Sequence, residues 1–150
     1  MGVKLSDIKN DELVGQIKTK VASQVEQRDY TTDKQVVQVP IIAPGLNGEN
    51  GLKREHWSNY QKRVENYTAM IKGANLKPYK GEVKVRYERH SVRLMDWDNL
   101  GASFKCWGDA LENAGIIEND SPKIIIDFDM YTVKADSYRE VGTTIIIEKA

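Results

Sequence analysis

The chain is poor in the residues that staple a fold or ligate soft metals. It holds one cysteine, Cys106, among 150 residues. No internal disulfide can form, and that usage suits a reducing cytoplasm. The two histidines, His56 and His90, lie far apart in sequence and far from Cys106, so a tetrahedral zinc centre of the usual kind is excluded. Long hydrophobic runs are missing as well. Spanning a bilayer takes roughly 20 apolar residues, whereas the longest runs, such as Ile145-Ile146-Ile147, are strand-sized. The basic-then-apolar layout of a secretory leader does not occur at the start of the sequence. Net charge is zero, with 22 basic against 22 acidic side chains, which excludes a uniformly basic nucleic-acid binder. No internal repeat or low-complexity tract is visible. What remains, 40% hydrophobic and 29% charged, is the composition of one soluble globular domain with a modest core.

Zero net charge hides an asymmetry. Residues 1–33 carry 5 basic and 6 acidic side chains, residues 34–105 carry 13 and 7, and residues 106–150 carry 4 and 9. A positive middle followed by a negative end is the pattern of an anion-binding surface beside a carboxylate site. Uneven clustering of solvated charges produces the same numbers.

Hydrophobic periodicity orders the chain as helix, strand, loop, helix, strand, helix and two strands. Asn10-Asp11-Glu12 caps an expected helix whose stripe is Leu13, Ile17, Val21 and Val25. So narrow a stripe needs something to dock on. Gln35 to Ile42 alternates and is β-branched, and Pro40 confines it to a sheet edge. Residues 43–53 contain three glycines, two asparagines and a proline, which predicts an irregular loop of functional length. From about Glu55 to Ala74, Trp57, Tyr60, Val64, Tyr67 and Ile71 recur at helical spacing. Glu82 to His90 alternates as a strand with Val83, Val85 and Tyr87 on one face. A further helix, capped by Asp98 or Asn99, runs through Phe104, Trp107, Leu111 and Ala114 to a stop at Gly115. Strands follow over Lys123–Val133 and Thr143–Glu148. The expected class is α/β (α+β): a single domain with a small mixed sheet, two main helices and an extra N-terminal helix over residues 1–34.

Chemistry concentrates near residue 98. In an extended chain Asp96 and Asp98 point to one side. Paired carboxylates are hard oxygen donors of the kind Mg²⁺ or Mn²⁺ takes, together with waters and a substrate phosphate. Asp120, in a turn with no evident structural task, is the natural third member. Lys105 stands between them and can meet developing negative charge. Asp-x-Asp alone equally describes solvated turn residues or caps.

The segment Asp96-Trp97-Asp98-Asn99-Leu100, followed by Lys105, Asp109-Ala110-Leu111, Ala114-Gly115 and Asn119-Asp120, resembles the RusA-type Holliday junction resolvases. That family consists of small bacterial and phage endonucleases. Pro40, Pro44 and Asn47 resemble its Pro/Asn-rich loop, and Tyr60 and Val64 resemble its basic amphipathic helix. The likeness covers roughly residues 36–148, leaving 1–34 as an extension to a resolvase-like domain over 35–150. The resemblance implies a cytoplasmic, homodimeric, Mg²⁺- or Mn²⁺-dependent endodeoxyribonuclease that resolves four-way DNA junctions in recombination and repair. Asp96, Asp98 and Asp120 then match the metal-binding aspartates and Lys105 the catalytic lysine. Asn47, Lys53, Arg54, Lys62, Arg63, Arg93 and Asn99 are the candidate DNA contacts. The chain departs from the pattern in having Asn119 where an acid is frequent, three extra residues between Asp98 and Lys105, and no excess of positive charge. A non-catalytic DNA-binding or assembly protein of the same fold is the competing expectation. An Asp-x-Asp glycosyltransferase is disfavoured by the short chain and the missing nucleotide-binding βαβ pattern.

Chain reach adds one expectation. A helix over residues 100–114 is roughly 22 Å long, and five residues beyond it extend about 17 Å. Asp120 can hardly return to Asp98 of its own chain, so it is expected to complete the site of a partner subunit.

Overall fold

A computed structural model describes residues 34–47 and 51–150. The expected N-terminal helix lies outside the described residues. Four strands and two long helices follow: β1 (Lys34–Val39), α1 (Trp57–Gly73), β2 (Val83–Ser91), α2 (Trp97–Asn113), β3 (Ile125–Lys134) and β4 (Gly142–Lys149), with short 3₁₀ turns at Leu52–Arg54 and Tyr138–Glu140. The mixed α+β class holds.

The sheet order is β1-β4-β2-β3. β4 lies antiparallel to both β1 and β2, while β2 and β3 run parallel. That parallel pair is joined through α2, because parallel neighbours need a crossover rather than a hairpin. Pro40 follows β1, the edge strand, where a missing N–H costs no ladder bond. Strand alternation sets the core face: Val83, Val85 and Tyr87 of β2 sit against Ile145 and Ile147 of β4 and Val37 of β1. Both helices pack on that face. The Tyr67 ring of α1 stacks on Trp107 of α2 at 4.0 Å and 15°, an arrangement worth about 0.5–1.5 kcal/mol beyond burial. The Tyr87 hydroxyl and Ser103 Oγ share a 2.7 Å hydrogen bond that ties the sheet to α2. The opposite face carries Lys84, Arg86, Glu88 and His90 of β2 beside Ile146 and Glu148 of β4, and no helix among the described residues covers it.

Two details differ from the periodic reading. Trp57 opens α1 but is 72% exposed, so the buried stripe starts about two turns later and comprises Val64, Tyr67 and Ile71. The cap of α2 is Asp96, not Asp98 or Asn99: its carboxylate accepts from the Asn99 N–H, three residues into the helix. Gly115 ends α2 as expected, at φ 76°. Its N–H donates to the Glu112 carbonyl and the Ile116 N–H to the Leu111 carbonyl, which is the Schellman pattern. No described helix is long and apolar enough to cross a membrane.

Candidate functional site

The N-terminus of α2 forms one wall of an open cleft of about 740 Å³. Asp96, Asn99, Asn47, Arg89, Arg93 and Tyr138 all contribute to it. Asn99 holds the cleft together. Its Oδ1 accepts from the Leu46 N–H at 2.8 Å and the Asn47 N–H at 3.0 Å, and its Nδ2 donates to Asp96 Oδ1 at 2.9 Å. One side chain thus docks the glycine-rich loop on the helix and orients the capping carboxylate. A Cβ on Gly45 would meet Asn99 Oδ1 at 2.7 Å, so glycine is needed there to let the loop approach. The 43–53 stretch is accordingly tethered at both ends, with the Leu52 and Lys53 N–H groups donating to the Gly45 and Leu46 carbonyls. Asn99 was a candidate DNA contact; its amide is engaged within the chain instead.

The carboxylates separate into two places. Asp96 is exposed, with both of its hydrogen bonds on Oδ1, which leaves Oδ2 without a hydrogen bond among the described residues. Asp98 is exposed in the first helical turn, so the premise of an extended chain through both aspartates does not hold: one caps the helix and the other lies inside it. Two carboxylates at one helix end, with oxygens to spare, fit a hard cation that also keeps waters and a substrate phosphate. Asp120 is elsewhere. Its carboxylate packs on Gly108, where an added Cβ would approach Oδ2 to 3.2 Å. Gly108 lies ten residues along α2 from Asp98, or roughly 15 Å. Three aspartates of one chain therefore do not share one ion, and among the described residues no group of three or more His, Cys, Asp or Glu side chains could hold one.

Asp120 belongs to a second cluster. Lys105 Nζ donates to Asp109 Oδ1 at 3.1 Å and stands 3.8 Å from Asp120 Oδ2. The Tyr60 hydroxyl makes a short hydrogen bond to Asp109 Oδ2. Burial, then the neighbouring Asp109, push the Asp120 carboxyl above its ordinary value despite Lys105. For Lys105 the two aspartates outweigh partial burial and hold the ammonium charged. Burial and the bond to Asp109 keep the Tyr60 phenol protonated.

The remaining candidates are scattered. Lys53 and Arg54 are exposed on the 3₁₀ turn, Lys62 is exposed on α1, and Arg93 is exposed on the cleft rim. Arg63 is ion-paired with Glu55 and half-buried, so it presents little free charge. His56 caps α1 through Nδ1, and His90 pairs with Glu88. Sequence reasoning missed three contributors. Arg89 follows Val83, Val85 and Tyr87 on the core face of β2, a charge at an inward position that was there to be noticed. Asp109 was quoted only as part of a motif. Tyr138, 84% exposed at the cleft mouth, carries no local pattern.

No protein-family model matches the chain, and no curated protein is similar enough to match it.

Proposed function

We propose that the chain is a metal-dependent, structure-specific endodeoxyribonuclease that cuts four-way junctions and related branched DNA, acting as a homodimer with Mg²⁺ or Mn²⁺. The observation that carries this reading is the cleft at the start of α2. There a capping aspartate with an uncommitted oxygen, Asn47 and Arg93 line one cleft, with Asp98 two residues along in the first turn of α2, all within the stretch 34–105 that carries 13 basic against 7 acidic side chains. A divalent cation held by Asp96 and Asp98 would polarise a phosphodiester and activate water. Asn99 fixes the rotamer of Asp96, and Arg93 at the rim offers charge to the DNA backbone.

The separation of Asp98 from Asp120 supports a shared site. Asp98, Ala102, Lys105 and Asp109 lie at spacings of four, three and four along one face of α2, a single helical stripe. Two copies of that face meeting antiparallel about a two-fold axis would set Asp98 of one copy near Gly108, and hence Asp120, of the other. Two equivalent sites then form, as paired cuts on opposed strands require.

The test is incubation with a labelled four-way junction and with linear duplex, in Mg²⁺ and in Ca²⁺, with D98N as control. The nuclease reading expects binding in both metals, cutting in Mg²⁺ alone, preference for the junction, and loss of cutting without loss of binding in D98N. Junction binding in both metals with no cutting would favour a DNA-binding or assembly protein of this fold. Cutting by D98N at the parent rate would show that the site is misassigned.

A further inference from the structure

Arg89 is the most unusual residue of the cleft wall. It lies on the core face of β2 and is 7% exposed. Its cross-strand partners are Thr143 of β4 and Thr132 of β3, both neutral. Nε and Nη2 donate to the Ala43 carbonyl at 3.2 and 3.1 Å, and Nη1 donates to Ser91 Oγ at 3.0 Å. Ser91 Oγ in turn donates to the Arg93 carbonyl at 2.6 Å. Every acceptor is therefore uncharged, and among the described residues no carboxylate pairs with Arg89. Burial depresses its proton affinity, with only the Tyr87 and Tyr67 phenols opposing.

A guanidinium carries five N–H donors, and three are used. It does not shed its proton in a protein, so a buried one lacking a counter-charge is an expensive arrangement that an anion relieves. The open side is the cleft, which Arg89 lines together with Arg93 and Asn47. We propose that Arg89 is the receptor for an oxyanion of a phosphodiester backbone, seated in the cleft beside Asp96. The planar fork suits a tetrahedral oxyanion better than a point charge does. Tyr138 at the cleft mouth offers a flanking nucleotide a ring to stack on. The proposal rests on the nuclease reading for its ligand class and names the group that would hold the strand opposite the carboxylates.

The test uses the full chain without metal, so no cleavage enters it. Thymidylyl-thymidine, a phosphodiester, and separately inorganic phosphate are titrated at constant ionic strength while the Arg89 Nε–H resonance is followed by NMR. The diester should shift that resonance saturably. R89K should weaken diester binding about tenfold, the loss of roughly one charge-assisted hydrogen bond. If R89K does not fold, the wild-type titration decides alone. An Arg89 resonance unmoved by either ligand, or moved by inorganic phosphate but not by the diester, overturns the proposal. A positive titration in a protein that never cuts DNA would sink the nuclease reading and leave this site standing.

Discussion

Replacing Asn99 with alanine removes three hydrogen bonds at once: those to the Leu46 and Asn47 N–H groups and that to Asp96 Oδ1, at 2.8, 3.0 and 2.9 Å. Each is worth about 0.5–1.5 kcal/mol net, with the low end for groups that water can re-solvate. Two of the three are exposed, so the expected total is about 1–2 kcal/mol, or roughly 3–8 °C in Tm for a domain of this size. The loop-to-helix tether goes with them, so limited proteolysis within residues 43–53 should accelerate. N99D separates the roles. It keeps the acceptor for the loop N–H groups but sets a second carboxylate against Asp96, so its loop should resist protease like the parent while Asp96 loses its side-chain donor and keeps only the backbone N–H of residue 99. G45A forces the same contact apart from the other side, because its Cβ would sit 2.7 Å from Asn99 Oδ1. The G45A/N99A double variant should therefore lose less than the two single losses added together. An N99A protein with parental Tm and parental loop proteolysis would refute the account of how the cleft is held.

Asp120 has a raised carboxyl pKa in the fold, so its contribution to stability is complete below the unfolded value of 3.8 and is lost as pH climbs through the folded one. Tm measured against pH should show D120N gaining on the parent from about pH 3.5 to pH 7. Glu88 behaves oppositely. His90 and Arg86 overcome burial and lower its pKa, so its stabilisation is present above the unfolded value of 4.5 and fades as pH falls. E88Q should be less stable than the parent at pH 7, and the gap should close near pH 3. Cys106 is fully buried and its thiol is pushed up to about 11; a thiol reagent at pH 8 should label it only on unfolding. W97A removes an exposed ring in the first turn of α2 and Y138A one at the cleft mouth; each should weaken junction binding by about 1–3 kcal/mol with Tm unchanged, if it stacks on an unpaired base.

Periodicity located every described strand and both long helices, because buried side chains recur at 2.0 or 3.6 residues whatever else the chain does. It failed where a position is periodic but solvated, as at Trp57, and where competing caps lie adjacent, as across Asp96, Asp98 and Asn99. Candidate site residues were visible as residue types, but their grouping was not. That Asp120 sits with Lys105 and Asp109 depends on the close approach allowed by Gly108. That Arg89 and Asp96 share a cleft depends on sheet register and on the tethered loop. Neither leaves a mark in local sequence. The reach estimate agrees with the observed separation of Asp98 and Asp120 for a simple reason: helix rise is fixed, and the helix is 17 residues long.

The shared-site claim is tested most directly by mixing D98N and D120N subunits and assaying verified heterodimers on a labelled four-way junction in Mg²⁺. Each variant alone should be inactive. If Asp98 and Asp120 act across the dimer, both lesions fall in one site of the heterodimer and the other is whole, so nicking of one strand should return. If they act within one chain, both sites carry a lesion, and heterodimers as inert as either parent would contradict the account.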